Sequence, residues 1–182
     1  MEKKAYSLGL IIGRFQVLHL GHVEMINKAI ELCDEVGIFI GSSQESNTLK
    51  NPLSFEKRKE ILETIFEDKV VIKPLPDIGV GNNPAWGDYV LTKAKESFGR
   101  LPDLLISGKE ERRTSWLSDS YQIAEIFIPK TIDISATKMI QYLLDDNKAE
   151  WQKYIDSRLY PYYDELRSIA LEAQKNLKTS SL

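Results

Sequence analysis

The sequence predicts an α/β fold: a Rossmann-like, doubly wound parallel sheet of about five strands with a helical C-terminal tail. Three observations carry that prediction. Short apolar runs rich in Ile, Val and Leu recur five times, near residues 7–12, 36–41, 69–73, 103–107 and 124–128. Amphipathic segments long enough for helices separate most of them, an alternation that makes the strands parallel and covers both faces of the sheet. After Pro129 the pattern changes, and no further stretch reads as a strand.

At 182 residues the chain suits one sizeable core better than two, so a single domain over 1–182 is expected, with a parallel core at 1–130 and a helical part at 131–182. No apolar run is long enough to span a bilayer. The stretch after Met1-Glu2-Lys3-Lys4 is too short for a secretory signal, and a single cysteine, Cys33, excludes an internal disulfide. A cytoplasmic protein is therefore expected. A net charge of −3 argues against a general nucleic-acid binder and leaves room for a local basic pocket.

The elements follow in order. The first apolar run enters the stretch Gly13-Arg14-Phe15-Gln16-Val17-Leu18-His19-Leu20-Gly21-His22, and a helix from about Gly21 to Cys33 leaves it, with Val23, Ile26 and Ile30 on one stripe and Cys33 packed on its apolar side. A second helix starts after Pro52 with Ser54 as its N-cap and is expected to bury Phe55, Ile61, Leu62, Ile65 and Phe66. A third carries Trp86, Tyr89, Val90 and Phe98 and stops at Gly99. In the tail, Ser135 or Thr137 caps a helix, and further helices carry Trp151, Tyr154, Tyr160 and Tyr163.

The stretch from Gly13 to His22 holds the most chemistry. It contains both histidines of the protein, a glycine-containing turn between strand and helix, and the cation Arg14. Such a turn aims backbone N–H groups and the positive end of a helix dipole at one point, which suits a phosphate. Two imidazoles three residues apart share a side of the helix start and can stabilise charge on phosphate oxygens. Two histidines with no third and no second cysteine are too few for a protein-built metal site, and none is expected.

Gly13-Arg14-Phe15-Gln16 followed by His19-Leu20-Gly21-His22 resembles the HxGH signature of the nucleotidyltransferase superfamily. More narrowly, the chain resembles the archaeal-type nicotinamide-nucleotide adenylyltransferases. Ile40-Gly41-Ser42-Ser43-Gln44, Lys50-Asn51-Pro52 with Arg58 after it, Pro76-Asp77-Ile78 before Trp86, Ser107-Gly108 and Ile134-Ser135-Ala136-Thr137 fall in that family's order, over roughly residues 7 to 150. The resemblance implies a reaction of ATP with nicotinamide mononucleotide, helped by Mg²⁺, giving NAD and pyrophosphate, in a homo-oligomer.

It also implies roles. His19, His22 and Arg14 stabilise the transferring phosphate. Gly13, Phe15, Gln16, Gly21, Lys50, Ser107, Gly108, Ser135, Thr137 and Lys138 form the ATP side, Lys50 standing where the family commonly has an arginine. Asp77, Asn82, Asn83 and Trp86 form the acceptor side, where the indole stacks on the nicotinamide ring and one of the two asparagines binds its amide. Lys109, Arg112 and Arg113 lie close after Ser107 and offer further positive charge. Arg58 is read as decorating a helix face. The family pattern I-S-x-T-x-x-R has Ile140 in place of its arginine. That departure leaves two alternatives open: a related transferase with another phosphate acceptor, of the pantetheine-phosphate or cytidylyl type, and a nucleotide-binding regulator without turnover.

Overall fold

The computed structural model describes residues 3–81, 83–108, 116–117, 121–129 and 131–179. Five parallel strands form one sheet: β1 (Tyr6–Gly13), β2 (Cys33–Gly41), β3 (Val71–Leu75), β4 (Leu104–Ser107) and β5 (Ala124–Phe127), in the order β3-β2-β1-β4-β5. The chain builds outward from β1 to β3 on one side, then restarts at β4 on the other. Its switch point therefore lies between β1 and β4, where an open parallel sheet places its ligand crevice.

Alternation along the strands divides the core. Ile11, Ile38, Ile40, Ile72, Leu104 and Ile106 face one side, while Leu10, Phe39 and Leu105 face the other. The first side is covered by α1 (Leu20–Leu32), α2 (Phe55–Phe66) and the tail helices α4 (Ala136–Leu144), α5 (Lys148–Gln152) and α6 (Tyr163–Thr179), which bury Met139, Leu143, Trp151, Tyr163 and Leu166 in the same core. The second is covered by α3 (Pro84–Phe98) with Trp116, Leu117 and Ile123. Helix α3 lies so close to that segment that a Cβ on Gly87 would stand 2.0 Å from the Trp116 carbonyl oxygen. The tail thus shares the main core.

The caps explain where helices begin and end. Ser54 Oγ accepts from Lys57 N at 3.2 Å, Asn83 Oδ1 accepts from Trp86 N at 3.3 Å, and Ser135 Oγ accepts from Lys138 N at 3.3 Å. Helix α3 closes at Gly99 with φ 74°, a left-handed cap that favours glycine.

Several boundaries differ from the sequence reading. Strand β2 starts at Cys33, three residues early, because α1 runs into it with no turn residue between them. Cys33 accordingly sits in the sheet against Gly9, not on a helix face, and burial pushes its thiol up to about 11. Strand β3 begins at Val71, since Glu67–Lys69 forms a 3-10 turn, and as an edge strand it tolerates Pro74. In α1 the buried residues are Met25, Ile26 and Ala29, so Val23 and Ile30 only flank the stripe. Phe55 is half-buried.

Candidate active site

A cavity of about 910 Å³ opens at the switch point, beyond the carboxyl ends of β1 and β4. Gly13 and Arg14 come from the end of β1, Ser107 and Gly108 from the end of β4, His19, Gly21 and His22 from the start of α1, and Ser135, Ala136 and Thr137 from the start of α4. Two helix N-termini therefore face one space, and each brings a positive dipole end. Lys50 reaches the wall from the loop after β2.

The histidines form one unit. Their rings stack with centroids 3.7 Å apart, and the His19 backbone N–H donates to His22 Nδ1 at 3.4 Å. With Nδ1 accepting, a neutral His22 carries its proton on Nε2. The Phe15 ring lies edge-on to His22 with centroids 5.1 Å apart. His19 is buried, and His22 is half-buried at the wall.

Behind this wall the backbone is unusual. Phe15 has φ 47° and Ser42 has φ 48°, left-handed values that cost a non-glycine residue about 1–3 kcal/mol each. Both lie in the turns that follow β1 and β2. Gln16 ties the first turn to the start of α2: its Oε1 accepts from Leu53 N at 2.9 Å and its Nε2 donates to Leu53 O at 3.4 Å. Its side-chain amide is thus engaged within the protein, though the residue lines the cavity.

Arg58 corrects the sequence reading. It is 0% exposed, and its five N–H donors meet the carbonyls of Ser54, Arg14, Gly41, Ser42 and Glu45 at 3.1, 2.9, 2.8, 3.1 and 3.5 Å. Burial pushes the guanidinium down to about 10, which leaves it charged at neutral pH. Position 58 shares the helical stripe of Ile61, Leu62 and Ile65, which points to burial, but the carbonyls it bonds come together only in the fold.

The remaining residues divide. Gly13, Arg14, Phe15, Gln16, His19, Gly21, His22, Lys50, Ser107, Gly108, Ser135 and Thr137 come together around the cavity. Lys138 is exposed and stands off its wall. Asp77, Asn83 and Trp86 also stand off it: Gln44 Oε1 accepts from Asp77 N at 3.0 Å, Asn83 caps α3, and Trp86 is half-buried with its ring 5.5 Å from Tyr89. Asn82, Lys109, Arg112 and Arg113 lie outside the described residues. Sequence reasoning missed several residues that also line the wall, among them Thr48, Leu49, Met25, Ile132, Gln174 and Leu177. The last two come from the far end of the chain and carry no local motif.

The sequence profile of the cytidylyltransferase-like family matches residues 10–142. A nicotinamide-nucleotide adenylyltransferase of Saccharolobus solfataricus is 31% identical over 170 residues, 88% of this chain and 92% of the relative. The chain belongs to the cytidylyltransferase-like family and, within it, to the nicotinamide-nucleotide adenylyltransferases. A second adenylyltransferase of that name, from Thermococcus sibiricus, is 29% identical over 183 residues, 93% of each chain. The fold of this nucleotidyltransferase is similar to that of a bifunctional NMN adenylyltransferase/ADP ribose pyrophosphatase from Francisella tularensis, solved with AMP and a manganese ion. That match has a TM-score of 0.72 at 23% identity, covering 92% of this chain and 52% of the other, so the chain spans about half of that protein. Among the described residues no helix is long and apolar enough to cross a membrane.

Proposed function

We propose that this adenylyltransferase joins ATP and nicotinamide mononucleotide to give NAD and pyrophosphate by one direct, in-line displacement. The observation that carries the reading is the convergence of Arg14, His19, His22 and two helix N-termini on one cavity at the switch point. A phosphate oxygen of nicotinamide mononucleotide attacks the α-phosphorus of ATP, the bond from that phosphorus to the bridging oxygen breaks, and pyrophosphate leaves with the electron pair. No side chain becomes covalently attached. His22 Nε2–H and Arg14 hold the equatorial oxygens as charge builds, while the start of α4 and Lys50 receive the departing pyrophosphate.

Mg²⁺ is the proposed cofactor. Among the described residues no three His, Cys, Asp or Glu side chains cluster to hold a metal. The Ser135 and Thr137 hydroxyls at the cavity wall are oxygen donors of the kind Mg²⁺ takes, and would share the ion with the nucleotide's phosphates. Such an ion neutralises charge on the leaving group. Asp77, Asn82, Asn83 and Trp86 are the proposed acceptor side. A homo-oligomer in the cytoplasm is the proposed setting, checked by light scattering and fractionation.

The test is an acceptor panel. With ATP and Mg²⁺ fixed, pyrophosphate release is measured with nicotinamide mononucleotide, nicotinic acid mononucleotide, pantetheine phosphate and a sugar phosphate. The proposal expects release with the pyridine nucleotide and none with pantetheine phosphate. Release only with another acceptor assigns a different substrate, and release with none favours a nucleotide-binding regulator.

A further inference from the structure

Arg58 does not line the cavity, yet it is a fully buried charge whose bonded partners among the described residues are backbone carbonyls. Burying a cation is expensive, and carbonyl dipoles repay it only if all of them are held in place. Three of the five, Arg14, Ser42 and Glu45, belong to the turns that follow β1 and β2, and a fourth, Gly41, is the last residue of β2. Ser42 has a left-handed backbone, and Arg14 immediately precedes left-handed Phe15. The guanidinium therefore holds two turns that each carry a left-handed non-glycine residue.

From the same guanidinium a closed ring of hydrogen bonds runs to the cavity and back. Arg58 Nη2 donates to the Glu45 carbonyl at 3.5 Å, and the Glu45 carboxylate accepts from Asn51 Nδ2. Asn51, 0% exposed, accepts from Arg14 Nη1 through its Oδ1 at 3.4 Å. The Arg14 carbonyl closes the ring by accepting from Arg58 Nη1 at 2.9 Å. Arg14 is thus held at both ends, its backbone by Arg58 and its exposed guanidinium by Asn51.

We propose that Arg58 is a positioning residue for adenylyl transfer, which through the Glu45–Asn51 ring fixes the guanidinium of Arg14 at the cavity wall. Its kinetic consequence rests on the function proposed above. Its geometric consequence does not. A long, exposed arginine otherwise samples many rotamers, and ordering it before the nucleotide arrives removes that cost from the reaction.

The test compares wild type, Arg58→Met, Glu45→Ala, Arg14→Ala and the two doubles that combine Arg14→Ala with each ring variant. Kinetics, melting temperature and ¹⁵N relaxation of the Arg14 Nε–H in the free protein are measured. Arg58→Met should lower kcat/KM for ATP by roughly 100-fold, the scale of misplacing a catalytic group by about 1 Å. In the Arg14→Ala background the same change should cost under about threefold, because the group it positions is already gone. Glu45→Ala breaks the ring at a half-buried link, so it should lower kcat/KM about tenfold with the melting temperature unchanged, and the Arg14 Nε–H should become mobile. Equal losses with and without Arg14, or an Arg14 Nε–H as rigid in the variants as in wild type, overturn the proposal. If Arg58→Met does not fold, Glu45→Ala decides alone, and wild-type kinetics with a rigid Arg14 there reject the ring. A wild type that makes no NAD removes the proposed function, and the relaxation comparison still tests the ring.

Discussion

The His19 and His22 rings stack at 3.7 Å with their planes 22° apart, and one backbone N–H links them. Both residues line the cavity, and His22 is the more accessible of the two. His22→Ala should therefore cut kcat by roughly 100- to 1000-fold, the usual loss for one transition-state donor, while ATP affinity changes little. Steady-state kinetics beside calorimetric ATP titration check this. An unchanged kcat would remove His22 from the mechanism.

Lys50 lines the cavity and Lys138 does not. On this placement we expect Lys50, rather than Lys138, to meet the charge of the departing pyrophosphate. Lys50→Ala should raise the KM for ATP about tenfold, and Lys138→Ala should leave it within about twofold. Ile140 is 7% exposed and also lines the cavity, so Ile140→Arg places a cation at the wall and should partly rescue Lys50→Ala. Comparable effects of the two lysine variants would contradict this placement.

Trp86 is half-buried, between a packed and a ligand-facing state. Trp86→Ala should raise the KM for nicotinamide mononucleotide about tenfold, with ATP binding unaffected and the melting temperature little changed. A stability loss on the order of 3–5 kcal/mol by urea titration, with an unaltered KM, would make it a core residue instead.

Asp103 joins β4 to the start of β1: its carboxylate accepts from Ser7 N at 2.8 Å and Leu8 N at 2.7 Å. Burial alone would raise its pKa, but these backbone bonds outweigh it and hold the group below its ordinary 3.8. A carboxylate lowered in the folded state contributes stability above its unfolded pKa, and that contribution is lost as pH falls through the folded value. Asp103→Ala should cost about 1–3 kcal/mol at pH 7, and less once pH falls below the native value. Urea titrations across this range measure the difference, and a pH-independent cost would contradict the assignment.

Much of the fold was legible because the alternation of apolar runs and amphipathic segments fixes a parallel sheet, and capping residues such as Ser54, Ser135 and Gly99 announce the helix ends. Cys33 was misread because no turn residue marks the passage from α1 into β2. The turn from Gly13 to His22 was legible because its chemistry is local in sequence. Arg58 and Asn51 were harder: a buried polar group acts through carbonyls that only the fold brings together. Gln174 and Leu177 reach the cavity through the docking of α6, a tertiary relation with no local pattern.

The most direct test of the central claim follows one oxygen. Nicotinamide mononucleotide labelled with ¹⁸O in its phosphate is incubated with the enzyme, ATP and Mg²⁺, and the products are resolved by mass spectrometry. Direct attack at the α-phosphorus predicts NAD that retains all the label and an equal amount of unlabelled pyrophosphate. Label in the released phosphates, or no NAD at all, would contradict the account.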